Sequence, residues 1–419
     1  MARIAIIGTG IAGMGAAYYL HRDHDITVFE ADDRIGGHTN TVYVSEGNAS
    51  IPIDTGFIVF NNKTYPRLTA LFRELNVQVK KTDMSFAAQI VHENLEYCGS
   101  SLNKLFAQRR RIFSPRYIRF LKQLDRFNKT CGEVLTDTSL QQMSIKDYLR
   151  HRDYHNELLN WYILPMSSAL WSTPPDTTAK FPVLTLVRFF TNHGFLGLNT
   201  QFQWYTVDGG SEQYKQKLIA PFKERIMVSN GIRSLQRIEG GVEVTDSRGE
   251  QHRFDKVIVA THGDQALRMW TDASAAEKAM LEPFTYQHNT ATLHTDASVM
   301  PRKKLAWSSW NYRTEKIQDA LVSSCTYWMN SLQDVSKQAD YFVTINDPGI
   351  VAKDKIIKVI KYEHPVFTVA AMEAQSQLPS LNKGGDLYFC GSYFRYGFHE
   401  DALMSAAAVC EQILDRKLP

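Results

Sequence analysis

Apolar positions open the chain as a short unbroken run, Ile4 to Ile7, break at Gly8, and resume from Ile11 to Leu20 without a charged side chain. The first stretch reads as a buried strand and the second as a helix laid against it. A second strand, DITVFEA, follows at residues 25–31 and carries Glu30 near its end. Thr39 to Val44 and Ile51 to Phe60 read as short extended segments, and a helix is expected near Tyr65 to Leu75.

From residue 81 the pattern changes. Arg109, Arg110, Arg111, Arg116, Arg119, Lys122, Arg126 and Lys129 make a strongly basic stretch. Ser114 and Pro115 are helix-start residues. Ile118, Leu121, Leu124 and Phe127 then share one face, with basic side chains beside or opposite it. An aromatic stretch follows at residues 181–205, with Phe181, Phe189, Phe190, Phe195, Phe202, Trp204 and Tyr205 around Asn192, His193 and Gly194.

Residues 207–272 return to strand and turn patterning. Asp208-Gly209-Gly210-Ser211 reads as a turn into a helix. A β-meander with hairpin turns at Gly240-Gly241 and Arg248-Gly249 flows into a buried strand, Lys256 to Ala260. Ser274 and Glu277 form a capping box. TYQHNTATLHT, KLAWSSWNYR, SSCTYWMNSL and DYFVTIN, all within residues 281–375, alternate as strands. The end of the chain reads as a strand, a glycine turn and a helix from about Glu400. No internal repeat or low-complexity stretch interrupts this order. Two interleaved domains are therefore expected, one from residues 1–80, 207–280 and 376–419, the other from 81–206 and 281–375.

The length of 419 residues fits two or three domains rather than one ordinary core. The 47 basic and 44 acidic residues nearly balance at net +3, which does not suggest general nucleic-acid binding. Five scattered cysteines without a C-x-x-C point to a reducing compartment and away from a zinc site or disulfide framework; no metal site is expected. The start of the chain has the look of a signal peptide, but its glycines fall at a nucleotide-binding spacing, so a mature, unprocessed cytoplasmic protein is expected. No apolar run reaches the roughly 18–20 residues that span a bilayer.

The chemistry lies first in Gly8-x-Gly10-x-x-Gly13, set between strand and helix, with Glu30 twenty residues after Gly10 and Arg34, Gly36 and Gly37 just beyond. This layout binds the ADP half of a dinucleotide. Gly10 lets backbone N–H groups reach a pyrophosphate at the positive end of the helix, and Gly13 lets helix and strand pack closely. Glu30 accepts hydrogen bonds from a ribose and repels an extra 2′-phosphate, favouring FAD or NAD over NADP. Asp54-x-Gly56 places a residue without a side chain where something flat can approach.

These motifs, with RIGGHTN at 34–40, DTGF at 54–57, DGGSEQY at 208–214, NGIRSL at 230–235 and CGSYFRYGFHEDALMSA at 390–406, resemble those of flavin-containing amine oxidases, phytoene desaturases and protoporphyrinogen oxidases. The chain is most similar to a bacterial branch of FAD/NAD-binding oxidoreductases encoded near cyclopropane-fatty-acid synthases. The resemblance implies an α/β architecture in which a Rossmann-type FAD-binding domain interleaves with an α+β substrate domain. It implies that Gly8, Gly10, Gly13 and Glu30 hold the ADP moiety. Arg34, Gly36, Gly37, His38 and Thr39 would line the pyrophosphate and ribityl chain. Gly56, Phe57 and Ile58 would lie against the isoalloxazine, and Ile232 would meet the adenine. Gly391 and the helix start Glu400, Asp401 and Ala402 would meet the ribityl phosphate and the flavin O2 edge. His38 stands where many amine oxidases have arginine, which weakens the expected guanidinium contact. No cysteine precedes the terminal helix as in monoamine oxidases, so FAD is expected to bind non-covalently.

Flavin chemistry asks little of side chains beyond positioning and exclusion of water. His193 and His399 are the candidates to move a proton, and Tyr327 and Trp328 to wall the pocket. Three functions follow: oxidation, desaturation or isomerisation of a mostly apolar substrate, with a fatty acyl chain leading; an O₂-dependent amine oxidase; or a non-redox FAD-binding partner of a lipid-modifying enzyme. The basic region 109–129 is expected to meet anionic lipid headgroups, placing the protein peripherally at the inner membrane surface.

Overall fold

A computed structural model describes residues 1–197, 202–318 and 320–418. One of its two large sheets is five-stranded and all-parallel, in the order Ile226–Met227, Asp25–Phe29, Arg3–Ile7, Lys256–Val259, Leu387–Phe389. Along the central strand Ile4 and Ile6 enter one hydrophobic cluster while Ala5 and Ile7 enter another. Both faces are therefore covered, which is why this strand reads as an unbroken apolar run rather than an alternating one.

The helix Ile11–Leu20 packs on this sheet and on the terminal helix His399–Leu414. Two glycines set its distances. A Cβ on Gly13 would stand 1.8 Å from the Gly8 carbonyl oxygen, and one on Gly15 would stand 2.6 Å from Leu403 Cδ1. The meander Ile232–Ile238, Gly241–Asp246, Gln251–Phe254 forms as its hairpin signals predict. The capping box at Ser274 and Glu277 opens the helix Ala275–Leu281.

The second sheet has seven strands in the order Ile356–Val366, Thr285–His294, Phe342–Ile345, Ala320–Trp328, Trp310–Ile317, Phe86–Ile90, Leu95–Cys98. All neighbours are antiparallel except Trp310–Ile317 with Phe86–Ile90. Three of these strands are not apparent in the sequence pattern: Phe86–Ile90 and Leu95–Cys98 lie ahead of the basic stretch that begins at Arg109, where no strand is expected, and Ile356–Val366 carries lysines across an exposed edge. The expected strand KLAWSSWNYR begins only at Trp310, and SSCTYWMNSL turns helical at Met329.

The helix Pro115–Thr130 starts where expected, with the Ser114 hydroxyl capping Tyr117 N at 3.3 Å. Its buried face differs by one position from the expected one: Tyr117, Phe120 and Phe127 are buried, while Ile118, Leu121 and Leu124 are only half-buried. The large aromatic rings win the core because they remove more apolar area from water. No helix among the described residues is long and apolar enough to cross a membrane.

Candidate active site

One elongated cavity of about 1260 Å³ runs from the carboxyl edge of the parallel sheet to the inner face of the seven-stranded sheet. Gly8, Gly10, Glu30, Arg34 and Ile232 line one end. At that end Gly10 caps the helix Ile11–Leu20 with no side-chain hydrogen bond, and the first turn carries no acidic group. A Cβ at Gly10 would have no atom within 4 Å, so the space above it is open. The Glu30 carboxylate accepts from Thr9 N at 2.8 Å, from Asp32 N at 2.9 Å and from the Thr9 hydroxyl, which fixes it at the rim. An open glycine loop, a bare helix N-terminus and a positioned carboxylate fit the ADP part of FAD.

Farther along, Gly37, His38, Gly56, Phe57, Ile58, Gly391, His399 and Ala402 line the middle. Arg34 lines the cavity while donating to the carbonyls of Gly37 at 2.7 Å and Thr39 at 3.0 Å, so it holds the loop that follows it. His38 stacks on Tyr362 with centroids 4.8 Å apart, and burial pushes its imidazole well below the ordinary histidine range. Its Nε2 is buried without a protein partner, the kind of orphan that a bound group satisfies. Gly56 serves the backbone rather than a flat ligand directly: a Cβ there would stand 2.2 Å from the His38 carbonyl oxygen, which accepts from Phe57 N at 2.8 Å.

Five of the expected residues stand outside the cavity wall. Gly13 is covered by Gly8, and Gly36 N donates to the Thr9 hydroxyl at 3.1 Å. Thr39 is buried against Tyr214. Glu400 accepts from Arg67 N and Leu68 N, 2.9 Å each, and so caps the helix Pro66–Glu74. Asp401 accepts from Phe398 N at 3.0 Å and Tyr396 N at 3.2 Å, and burial pushes its carboxyl up to about 6. At the helix start only Ala402 and His399 reach the wall.

The far end is aromatic. Phe189, His193, Phe195, Trp204 and Phe398 line it, with Tyr327 and Trp310 from the sheet. His193 stacks on Phe189 at 3.9 Å, and its Nδ1 donates to the Phe189 carbonyl at 3.0 Å. That bond leaves Nε2 as the acceptor, and burial pushes the imidazole down to about 4. His399 stacks on Phe57, and burial pushes it down to about 3. Phe181 and Phe190 are core residues, and residues 198–201 of the aromatic stretch lie outside the described residues. Trp328 does not wall this cavity. Successive strand side chains point to opposite faces, so it packs on Trp307 and donates to Asp340 at 2.8 Å.

A polar group on the sheet side escaped sequence reasoning. Glu363 lies 3.2 Å from His262 Nδ1 and 2.9 Å from His288 Nδ1, while Asn289 meets His364 Nδ1 at 2.8 Å. All five line the cavity. Their meeting depends on the register of Thr285–His294 with Ile356–Val366, which pairs His288 with Glu363. Away from the cavity, Asp246, Glu250 and His252 approach within 4.8 Å, but Asp246 there closes a turn by accepting from Arg248 N and Glu250 N.

The family model of flavin containing amine oxidoreductases matches residues 11–335. The Mycobacterium tuberculosis (strain H37Rv) protein named "Putative flavin-containing monoamine oxidase AofH" is 28% identical over 266 residues, covering 61% of this chain and 56% of that protein. The chain thus spans about half the length of the curated relatives it matches. Putrescine oxidase bound to putrescine superposes with a TM-score of 0.70 at 14% identity, over 99% of both chains. The CLA-producing fatty acid isomerase from P. acnes superposes with a TM-score of 0.62 at 14% identity, over 99% of this chain and 98% of that one. At these identities the likeness establishes a shared two-domain fold.

Proposed function

Since the chain belongs to the flavin-containing amine oxidoreductase family, we propose that it is an FAD-dependent oxidoreductase acting on a mostly apolar substrate, a fatty acyl chain being the class its cavity suits best. The observation that carries this reading is the distribution of charge along the cavity. Among the described residues its carboxylates are Glu30 and Asp32 beside the glycine loop and Glu363 between two histidines. The aromatic end has none among its described residues, and its one histidine is held neutral. A protonated amine entering there meets no counter-ion, whereas an alkyl chain meets rings throughout.

Bound FAD supplies a hydride acceptor at N5. The residues around it bind, orient and exclude water. The glycine loop and helix N-terminus hold the phosphates, Glu30 the ribose, and His38 Nε2 takes a hydrogen bond or donates one. The start of the terminal helix favours negative charge near Ala402. His193 and His399 are weak bases, so His193 Nε2 is better suited to accept a hydrogen bond from a substrate's polar group than to remove a proton. None of the five cysteines lines the cavity, which supports non-covalent binding.

Anaerobic mixing with oleic or linoleic acid, read by the visible spectrum and by chromatography of the extracted acid, tests the substrate class. Bleaching or a changed double-bond pattern is expected. Bleaching by putrescine or benzylamine, with peroxide on admitting air and no response to either acid, would transfer the assignment to amine oxidation. Bound FAD with no response to acids or amines would favour a non-redox role.

A further inference from the structure

Two segments far apart in sequence meet on one surface remote from the motifs above. Glu96, buried at the strand Leu95–Cys98, accepts from Arg302 N and Lys303 N, 3.1 Å each. This pins the turn Lys304–Ala306 against the short helix Leu102–Leu105. Arg109 donates to the carbonyls of Asn103 at 3.1 Å and Phe106 at 3.0 Å, which holds the turn Arg109–Phe113 beside that helix. Arg111 donates to the carbonyls of Glu93 and Asn94 at 3.1 and 2.7 Å, and the chain beyond it turns outward.

The resulting face exposes large apolar side chains that ordinary folding would bury: Phe113 at 86%, Leu102 at 66%, Ile112 at 48% and Leu305 at 36%. Around them stand Lys104, Arg109, Arg110, Arg302, Lys303 and Lys304. No aspartate or glutamate occurs from Tyr97 to Leu124 or from Ala297 to Thr314. The following helix is different, although its sequence is as basic. Arg116 pairs with Glu93 and Glu157 at 2.6 Å, Arg119 with Glu157 at 3.5 Å, and Lys129 with Asp125 at 2.6 Å. Three of the helix's five basic side chains are thus paired with carboxylates, with Lys122 and Arg126 left over, whereas among the described residues no carboxylate pairs with the six basic side chains around Phe113, Ile112 and the two leucines.

We infer that this face docks on an anionic phospholipid bilayer. Leu102, Ile112, Phe113 and Leu305 enter the boundary between headgroups and acyl chains, and the surrounding basic side chains meet lipid phosphates. A nucleic acid would reward the charges but not the apolar apex. The inference stands on this surface alone and does not depend on the substrate assigned to the cavity.

Vesicle flotation of the full-length protein tests it, using equal parts phosphatidylglycerol and phosphatidylcholine against phosphatidylcholine alone. Two paired variants separate the contributions: Leu102→Ser with Phe113→Ser, and Lys303→Glu with Lys304→Glu. Circular dichroism of each checks folding. Wild type is expected to float with the anionic vesicles, less so as salt rises, and each pair to weaken partition by about tenfold or more. Three results would overturn the inference: no flotation, equal flotation with phosphatidylcholine alone, or an unchanged Leu102/Phe113 pair. Binding of a single-stranded oligonucleotide in place of vesicles, insensitive to that pair, would assign the face to nucleic acid instead.

Discussion

The imidazole of His399 lies flat on the ring of Phe57, with centroids 4.0 Å apart and planes 12° apart. Its Nε2 stands 2.7 Å from the Tyr214 hydroxyl, which in turn meets Thr39. Three segments thus converge where the terminal helix begins. The arrangement that satisfies every group has Thr39 donating to Tyr214 and Tyr214 donating to a neutral His399. His399→Ala removes the stack and strands a buried hydroxyl, so a loss of about 2 kcal/mol is expected. Chemical denaturation measures it, and His399→Gln, which can still accept from Tyr214, should recover part of it.

The glycine loop separates folding from binding. Gly13→Ala places a Cβ 1.8 Å from a backbone carbonyl that has nowhere to move, and the variant is expected to lose both stability and cofactor. Gly10 has φ −60°, which alanine adopts freely, and open space above it. Gly10→Ala should therefore melt like wild type yet bind FAD about tenfold or more weakly, as read by quenching of flavin fluorescence.

Asp54 is a buried hub. Its carboxylate accepts from Ser211 N at 2.9 and 2.8 Å, from the Ser211 hydroxyl at 2.7 Å, from the Thr41 hydroxyl at 2.5 Å and from Gln333 Nε2 at 2.7 Å. Asp54→Ala leaves these donors without an acceptor, and a loss of about 3–5 kcal/mol is expected in denaturant titrations. Asp54→Asn keeps one acceptor oxygen and should lose less.

Stability should fall on mild acidification. Burial pushes His193 and His294 down to about 4, and both are neutral in the fold; His294 accepts from Asp296 N at 3.0 Å. The unfolded chain takes up protons near the ordinary value of 6.5 while the folded chain does not. Each contribution is therefore complete above pH 6.5 and declines as pH falls toward about 4, by roughly 3 kcal/mol at the limit. Denaturant midpoints at pH 7.5, 6 and 5 would reveal the decline, and His193→Gln should flatten it.

The glycine loop, Glu30 and the start of the terminal helix were legible because their geometry is local: a strand, a turn and a helix within a few tens of residues. What depends on distant pairing was not. His288 meets Glu363 only through the register of two strands separated by a long stretch of chain, and Ile356–Val366 hides its strand character behind edge lysines. The basic run from Arg109 was legible as charge, but the partial neutralisation of its helical part was not, because Arg116 and Arg119 pair with Glu93 and Glu157, which lie outside that run. Glu400 and Asp401 read as cofactor contacts by motif, yet their carboxylates bind backbone amides. A motif fixes where a helix begins, and packing decides where each of its side chains points.

The central claim, that this cavity holds FAD without a covalent link, is tested most directly by a visible absorption spectrum of the purified protein, repeated on the supernatant after acid precipitation. Flavin bands that pass into the supernatant are predicted. Bands that remain with the pellet, or none even after incubation with FAD, would contradict it.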